Sequence, residues 1–378
     1  MSKEFTRRNF VQRLSAASAA IFALPWLASG KEESEQTKEK DMNPIKRHFP
    51  LGFQWETQDP FLFCVHHEDQ FPAGTEQMGP NPEHFKGRHM GDDFIIKDGF
   101  RMYHGKKVPG FPGHPHRGFE TITVVRKGMV DHADSLGAAG RYGNGDVQWM
   151  TAGKGVQHSE MFPLLSQTEE NPLELFQVWL NLPKKDKMVE PHFKMLWREN
   201  ISNLKFDHDK VSVELISGSW NGKPAGTLPP PNSWAFPSEN EVLIVNIKME
   251  PHAKVSLPKA SAGVNRNLFF YEGDQLTINE QVFDSYSGFF LDPSVETELV
   301  SHDSPVSIFI LQGKPIGEQV MQYGPFVMNT KEEIKQAFDD YHQTQFGGWP
   351  WGRYDQVHDR SKTRFALHAD GTLEEKEV

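Results

Sequence analysis

Short apolar runs broken by glycine and proline constrain the fold of this chain more than any other sequence feature. Its 378 residues include 31 Gly and 26 Pro, which favour many short strands separated by turns over long helices. The runs rich in β-branched and aromatic residues cover residues 61–66, 120–125, 147–151, 175–180, 211–216, 241–249, 267–271 and 306–311. This spacing is typical of β-sandwiches and β-barrels. We therefore predict an all-β protein.

Chain length and an interruption of the strand pattern predict two domains. At roughly 100–200 residues per domain, this chain is long enough for two. The strand pattern is interrupted at residues 183–187 and at Pro191, and each half has one strand that leads into a glycine turn, which favours two copies of one fold. The predicted divisions are a targeting segment (1–30), a linker (31–50), an N-terminal domain (51–190), a C-terminal domain (191–323), a helical segment (324–346) and a tail (347–378).

A single helix is expected in the helical segment. Thr330 can cap its first turn, and Glu333, three residues later, can bond back to the backbone at the cap. The apolar residues that then share one helical face are Ile334, Phe338 and Tyr341. The helix should end near the Gly347-Gly348 pair.

Charge and cysteine content exclude several classes of function. The chain has 40 Lys and Arg against 51 Asp and Glu, a formal charge of -11, which disfavours nucleic acid as a partner. Its one cysteine, Cys64, can form neither an intramolecular disulfide nor a thiolate zinc site. Any metal must therefore be held by histidine and carboxylate side chains.

The first thirty residues read as an export signal. Arg7-Arg8 precedes an apolar stretch over residues 14–28 that is too short for a settled transmembrane helix, and small residues follow at 28–30. The arginine pair resembles the twin-arginine signal, which is read by the Tat export machinery. The alternatives are an ordinary Sec signal or an uncleaved anchor. We expect a periplasmic protein that has no membrane segment after signal cleavage.

Two short segments carry the residue types of a metal site. In an extended strand, side chains alternate between faces, so His114, His116 and Glu120 should point the same way, with Gly118 leaving room between them. About forty residues later His158-Ser159-Glu160 repeats this alternating pattern, with an imidazole and a carboxylate two residues apart. Glycine turns between the segments can bring the second strand back across the first.

Three imidazoles and a carboxylate suit Fe(II), Mn, Co, Ni, Cu or Zn, and ligand type alone does not choose among these metals. Four protein ligands on a six-coordinate ion leave positions open for water, a small-molecule substrate or dioxygen, which favours chemistry or sensing over a purely structural role. Glu120 has three possible roles: a ligand, a base near the metal, or a partner that orients an imidazole.

Longer motifs resemble the pirin family, which consists of bicupins of the cupin superfamily. The motifs are His114-Pro115-His116-Arg117-Gly118-Phe119-Glu120-Thr121, Asp134-Ser135-Leu136-Gly137, residues 145–155, His158-Ser159-Glu160-Met161 and, near the end, residues 324–330. The resemblance implies two tandem cupin domains, each a jelly-roll β-barrel, with a C-terminal helix. It also implies iron, expected as Fe(II), held in the first domain by His114, His116, His158 and Glu160. The second domain is expected to hold no metal, and its His252 and His302 are isolated.

The same resemblance implies a function. We expect a metal-dependent oxidoreductase of the quercetin 2,3-dioxygenase type that acts with dioxygen on a flavonol or a related enediol. Chelation would lower the pKa of the substrate hydroxyl, so that a nearby base, Glu160 or Glu120, could remove its proton. The alternative is a non-enzymatic, iron-dependent redox-sensing or partner-binding protein.

Three features depart from the family pattern. The export signal is one. The second is residues 74–107, interpreted as an insertion whose His84, His89 and His104 can rim the pocket. The third is the tail beyond Gly348, where Trp349 and Trp351 are expected to dock.

The export signal can be tested by replacing both Arg7 and Arg8 with lysine. We expect the double variant to accumulate in the cytoplasm, because the twin-arginine receptor distinguishes arginine from lysine whereas a Sec signal needs only positive charge. Fractionation followed by immunoblotting measures this. Undiminished periplasmic accumulation of the variant would contradict the assignment.

Overall fold

The structure is a computed structural model that describes residues 43–377, and short β-strands are its main regular element. The strands of the first half are β1 (Ile45–Pro50), β2 (Gln54–Trp55), β3 (Phe61–Phe71), β4 (Gly110–His116), β5 (Phe119–Lys127), β6 (Met129–Asp134), β7 (Ala139–Gly143), β8 (Val147–Thr151), β9 (Val156–Met161), β10 (Asn171–Asn181) and β11 (His192–Leu196). The predicted all-β fold is confirmed.

The second half continues in the same manner up to one α-helix. Its elements are β12 (Ser202–Phe206), β13 (Val211–Ser217), β14 (Ser219–Trp220), β15 (Lys223–Pro224), β16 (Leu243–Met249), β17 (Lys254–Leu257), β18 (Asn265–Glu272), β19 (Gln275–Ile278), β20 (Gln281–Asp284), β21 (Ser287–Leu291), β22 (Thr297–Ser301), β23 (Val306–Gly313), β24 (Met321–Tyr323), β25 (Phe326–Met328), α1 (Lys331–Thr344), β26 (Arg364–Leu367) and β27 (Leu373–Lys376). Short 3₁₀ turns occur at Pro82–Phe85, Lys184–Asp186, Ser238–Asn240 and Gln345–Gly347.

Each half is a barrel made of two sheets. In the N-terminal barrel one sheet has the order β11-β8-β5-β10-β3-β2 and the other β27-β26-β7-β6-β9-β4. The C-terminal barrel combines the sheet β1-β21-β18-β23-β16-β13-β12 with the sheet β17-β22-β19-β20. Strands pair antiparallel throughout, and the C-terminal interior is packed with aliphatic and aromatic side chains such as Val245, Phe270, Phe289 and Ile308.

The two barrels share a hydrophobic core. Ile122 and Val124 of β5 and Phe176 of β10 pack together with Phe269 and Phe309 of the C-terminal barrel. Phe176 and Phe309 stack with their ring centroids 4.4 Å apart. One face of the N-terminal sheet that contains β5 and β10 is therefore buried against the other barrel, and only its opposite face can line a binding site.

Two strands pair outside the domain predicted for them, so the observed domain boundaries differ from the predicted ones. Residues 45–50, placed in the linker, form β1 and pair with β21 of the C-terminal barrel. Strand β11, placed after the domain boundary at residue 190, pairs with β8 of the N-terminal barrel. Sequence periodicity shows that a segment is extended, but it does not show which sheet accepts it. The export signal and residues 31–42 lie outside the described residues.

The tail is an ordered part of the N-terminal barrel. Its strand β26 pairs with β7, and β27 pairs with β26. The buried Arg141 of β7 binds Asp131 at 2.7 and 2.8 Å and also donates to the backbone oxygens of His358, Asp359 and Lys362. The expectation of a polar tail docked at tryptophans was thus incomplete, although Trp351 does donate to the Asp134 carbonyl oxygen at 2.8 Å.

Helix α1 begins as predicted. The Thr330 hydroxyl accepts a hydrogen bond from the Glu333 backbone N–H, and the Thr330 backbone N–H donates one to the Glu333 carboxylate. Asp340 on the helix surface forms a 2.7 Å ion pair with Arg117 of the N-terminal barrel. The helix thereby joins the end of the C-terminal half to the chain between β4 and β5. Within residues 43–377 no helix is both long and apolar enough to cross a membrane.

The expectation that Glu120 shares a face with His114 and His116 was wrong. The chain does not continue as one strand: β4 ends at His116, and β5 begins at Phe119 in the other sheet. Gly118 between them has a φ of +85°, and a Cβ at this position would lie 2.0 Å from the Val327 carbonyl oxygen. This break at Gly118 changes which side chains face the histidines. Phe119 contacts His116, whereas Glu120 points to the interface between the barrels.

Glu120 is a buried interface residue. Its carboxylate accepts hydrogen bonds from Trp149 at 3.1 Å, from Thr151 at 2.7 Å and from Ser233 of the C-terminal half at 2.6 Å. Burial raises the pKa of Glu120 from 4.5 to about 7, although these hydrogen bonds act in the opposite direction. Near neutral pH the folded state therefore retains a proton that the unfolded chain has released.

This proton makes the stability of the fold depend on pH. The contribution of Glu120 is fully present below about pH 4.5 and is lost as the pH rises through about 7. We expect the free energy of unfolding of the wild type, relative to Glu120→Gln, to fall by up to roughly 3 kcal/mol between pH 5 and pH 8. Urea denaturation at both pH values measures the difference. Glu190→Gln, at an exposed position, is the control, and an equal pH dependence of the wild type and Glu120→Gln would contradict the assignment.

Candidate metal centre

Three histidines converge on the interior side of the N-terminal barrel. His114 and His116 lie on β4 and His158 on the neighbouring β9, where His114 is directly paired with His158. One ring nitrogen from each lies within 4.8 Å of the others. Among the residues from 43 to 377, this is the one group of three or more His, Cys, Asp or Glu side chains found close enough to hold an ion. The structure therefore brings together the three predicted histidines.

Backbone carbonyls orient two of the rings. The Nδ1 atom of His114 lies 3.0 Å from the Pro112 carbonyl oxygen, and that of His116 lies 3.4 Å from the Pro325 carbonyl oxygen. A carbonyl oxygen can only accept, so each Nδ1 carries the proton and donates it. The Nε2 lone pair of each ring is then left for a metal, which is the arrangement that carbonyl partners impose on metal-binding histidines.

His158 provides the test of whether a metal fits. Its side chain is fully buried, yet neither ring nitrogen has a hydrogen-bond partner. Leaving a buried polar group without a partner costs about 1–3 kcal/mol, and native proteins seldom do so. A cation between His114, His116 and His158 would give one nitrogen of this ring a partner. The donor set therefore fits a divalent transition metal.

Glu160 lies beside the histidines. Its Oε2 atom is 3.8 Å from His158 Nε2, while its Oε1 atom accepts a 2.9 Å hydrogen bond from Thr123 of β5. The Thr123 hydroxyl also lies 2.7 Å from Gln177 Oε1. Because a hydroxyl has one proton, it can donate to only one of these oxygens at a time. The Glu160 carboxylate thus has one oxygen near the imidazoles. Its other oxygen is bound by Thr123, which can bind Gln177 instead.

Burial sets the charge state of the site. It lowers the pKa of His114 to about 4 and the pKa values of His116 and His158 well below the usual range. The three rings are therefore neutral at physiological pH, so protons do not compete with a metal for them. Burial also raises the pKa of Glu160. A buried carboxylate is penalised unless a positive charge lies beside it, so the site favours a cation.

His132, which was not among the predicted site residues, lies next to the site. It is on β6, is fully buried and is paired with Glu160 of the neighbouring β9. Its ring centroid lies 5.4 Å from that of His158, and its Nε2 lies 3.3 Å from Asp134. The signal was present as a histidine and an aspartate two residues apart, but only the following Asp134-Ser135-Leu136-Gly137 turn was singled out.

The C-terminal signature packs directly against the metal-binding motif. The backbone N–H of Val327 donates to the Arg117 carbonyl oxygen at 3.0 Å, and Pro325 supplies the carbonyl that faces His116. The buried Lys187 amine donates to the carbonyl oxygens of Gly118 and Val327 at 2.7 and 3.2 Å. The two motifs are distant in sequence but form one structural unit at this site.

The other histidines occupy separate positions. His89 is exposed, and His84 packs at the edge of the Phe100 ring. His104 lies nearer the site, where its ring is 5.7 Å from that of Phe111, and its charge would lower the pKa of His114. In the C-terminal barrel His252 is exposed beside Asp303, and His302 is bonded to Thr277.

Comparison with known proteins identifies the family. The family model for pirin matches residues 74–180, and that for the pirin C-terminal cupin domain matches residues 244–347. Residues 74–107 lie within the first match, which contradicts their interpretation as an insertion. A pirin-like protein of Solanum lycopersicum is 36% identical over 253 residues, covering 66% of this chain and 80% of that protein. Human pirin is 34% identical over 261 residues, covering 68% of this chain and 83% of its own length.

Other relatives carry functional names. A Pseudomonas aeruginosa protein that bears the provisional name quercetin 2,3-dioxygenase is 36% identical over 241 residues, covering 63% of this chain and 79% of that protein. The crystal structure of a quercetin 2,3-dioxygenase from Acinetobacter baumannii superimposes with a TM-score of 0.65 at 23% identity, covering 82% of this chain and 99% of that one, which shows the shared fold. Both family models, the extent of these matches and the two-barrel fold show that the chain belongs to the pirin family of bicupins.

Proposed function

We propose that this protein is a metal-dependent dioxygenase of the quercetin 2,3-dioxygenase type that acts on a flavonol or a related enediol. The observation that carries the proposal is the buried His158 ring, whose two nitrogens have no partner while His114 and His116 are already oriented beside it. Relatives with the provisional dioxygenase name support the reaction type. The geometry that supports the proposal is that three neutral imidazoles lie close enough together to bind one cation.

The proposed ligands are His114, His116, His158 and Glu160, and the proposed metal is Fe(II). The donor types also suit Mn, Co, Ni, Cu and Zn, and iron is proposed from the pirin resemblance. Bound there, the ion would supply the Lewis acidity that lowers the pKa of a substrate hydroxyl and a site at which dioxygen can react. His114 is partly exposed, whereas His116 and His158 are buried, so substrate would approach from the His114 side.

Glu160 is the proposed proton acceptor. Its Oε1 is held by Thr123, and its Oε2 lies on the histidine side, where a substrate hydroxyl would be placed. When Glu160 takes a proton, the Thr123 hydroxyl can turn to Gln177, which lies 2.7 Å away. This alternative partner would keep Thr123 satisfied in both protonation states. Glu120, the second base considered from the sequence, has no role in this proposal, because its carboxylate is engaged at the interface between the barrels.

Aromatic side chains next to His116 would exclude water and hold a planar substrate. The rings of Phe119 and Trp179 lie 5.1 and 5.2 Å from that of His116, and 4.0 Å from each other. Phe63 extends this group, with its ring 4.3 Å from that of Trp179. Such a wall offers offset stacking and edge contacts, which suit an aromatic substrate better than an aliphatic one.

Export to the periplasm by the twin-arginine route is proposed on the sequence of residues 1–30 alone. The Tat machinery is the proposed partner for that step. Export in the folded state would allow the metal to be inserted in the cytoplasm, where the competing copper and zinc ions are scarce.

Oxygen consumption by the metal-loaded protein tests the proposed activity. We expect the iron-loaded wild type to consume dioxygen with a flavonol. We expect His158→Ala to lose most of its metal and its rate of oxygen consumption to fall at least about 10²-fold, because the His158 ring is the proposed buried ligand. His252→Ala, on the surface of the other barrel, is the matched control and should retain both. An oxygen electrode and metal analysis give the two readouts.

Failure to consume oxygen with any flavonol or enediol, at full iron occupancy, would contradict the enzyme proposal and favour the sensing alternative. Retention of the full metal content by His158→Ala would contradict the proposed ligands independently of activity.

A further inference from the structure

A second buried polar group lies in the N-terminal barrel, outside the metal centre. It consists of His67 and Asp69 on β3, with Arg101 and Tyr103 on the segment that precedes β4. The Tyr103 hydroxyl lies between His67 Nδ1, at 2.9 Å, and the Asp69 carboxylate, with which it forms a very short hydrogen bond. Arg101 holds the same carboxylate through its side chain at 3.0 Å and its backbone N–H at 2.8 Å. All four side chains are buried.

The hydrogen-bond chain determines the tautomer of His67. Burial raises the pKa of Tyr103 well above its usual value, so the phenol keeps its proton. Burial, with help from the charge of Arg101, lowers the pKa of His67 to about 3, so its ring is neutral. The single Tyr103 proton is donated to Asp69. Burial raises the pKa of Asp69 above its usual value, although the charge of Arg101 and the hydrogen bonds from Tyr103 and Arg101 act in the opposite direction. Tyr103 must then accept from His67 Nδ1–H, which leaves a lone pair on His67 Nε2.

His67 lies on the face of β3 that lines the inside of the barrel. Its neighbour His66 faces the other way and stacks on Phe176 in the core between the barrels, with ring centroids 4.8 Å apart. His67 is instead next to Phe111, at 5.9 Å between ring centroids, and Phe111 is 6.3 Å from the ring of His114. His67 and the metal centre therefore contact the same phenylalanine.

An aromatic cluster connects this region to the surface. We call Phe53, Phe94 and Phe111 the entrance aromatics. Phe53 is 43% exposed and meets His67 edge-on at 5.6 Å, and Phe94 lies 6.3 Å from both Phe53 and Phe111. Three phenylalanines that extend from solvent to a ligand histidine form an apolar surface for a flat molecule. The Nε2 atom of His67 has no hydrogen-bond partner among the described side chains.

We propose that His67 is a substrate-binding residue that accepts a hydrogen bond from a hydroxyl of the substrate remote from its metal-binding end. The inference rests on the proposed function and narrows the substrate class to elongated, planar polyhydroxylated aromatics that carry a hydroxyl at each end. Tyr103, Asp69 and Arg101 are positioning residues that keep the Nε2 lone pair of His67 available. The entrance aromatics cover the faces of the substrate between the two polar ends.

The geometry agrees with a molecule of that shape. The imidazole rings of His67 and His114 can be no farther apart than the sum of their distances to Phe111, so a fused bicyclic aromatic with a pendant ring is long enough to span them. The proposed hydrogen bond to His67 makes the site discriminate by the presence of the remote hydroxyl.

Anaerobic binding of two flavonols to the iron-loaded protein tests the inference. Quercetin and 3-hydroxyflavone share the metal-binding hydroxyl and carbonyl, but only quercetin carries remote hydroxyls. We expect the wild type to prefer quercetin, and His67→Phe to reduce that preference about tenfold through loss of one buried hydrogen bond, with the affinity for 3-hydroxyflavone unchanged. Absorbance titration gives both dissociation constants, and metal analysis confirms equal iron content.

Two further variants distinguish binding from general damage to the fold. His66→Phe removes a buried histidine from the opposite face of the same strand and should leave the preference unchanged. Tyr103→Phe frees the tautomer of His67 and should reduce the preference by less than His67→Phe does. A wild type that does not prefer quercetin, or a preference that survives in His67→Phe, would overturn the inference while leaving the proposed function intact. Failure of the wild type to bind either flavonol would overturn both.

Discussion

The antiparallel pairing of β4 with β9 is the interaction on which the candidate site depends. It places His114 directly opposite His158, with the ring centroids 4.5 Å apart, and it brings His116 to 4.9 Å from His158. Opposed side chains of an antiparallel pair lie about 5 Å apart at Cβ, so rings of this size meet directly. The register of β4 shifts between Phe111 and His114, just before this pair. The free edge of β4 is covered by the tail, where the Gly113 N–H donates to the Tyr354 carbonyl oxygen at 2.8 Å. The ligand strand is thus held on both sides.

The candidate metal centre lies in the N-terminal barrel, but the C-terminal half contributes contacts to it. Pro325 faces His116, and the ion pair of Arg117 with Asp340 fixes the chain immediately after the second histidine. The Arg117 guanidinium also lies 4.6 Å from the centre of the Phe346 ring. Partners of this kind fix the orientation of metal-binding histidines and influence affinity nearly as much as the ligands do. The second barrel therefore contributes to the site through the segment around α1.

The sequence alone predicted the strands and the cluster of three histidines, because both depend on the local alternation of side chains along a strand. His114 and His116 keep the spacing of an extended chain, and the Thr330 cap requires only residues within one turn of α1. Glu120 could not be placed in the same manner, because the register beyond Gly118 depends on contact with Val327, more than 200 residues away. For the same reason the pairing of β1 with β21, and of the tail with β7, carried no local signal. Adjacent histidines cannot share a face of a strand, and local sequence does not show which of His66 and His67 faces inward; the structure places His67 inside the barrel and His66 outside.

The most direct test of this account is a crystal structure of the iron-loaded protein with a bound flavonol, with anomalous data collected at the iron edge. The account predicts one strong anomalous peak per chain, at about 2.0–2.2 Å from nitrogens of His114, His116 and His158 and from an oxygen of Glu160. The chelating oxygens of the flavonol should lie at that ion, with Glu120 still bonded to Ser233. An equally strong peak in the C-terminal barrel, or an iron ion bound away from the three histidines, would contradict the account.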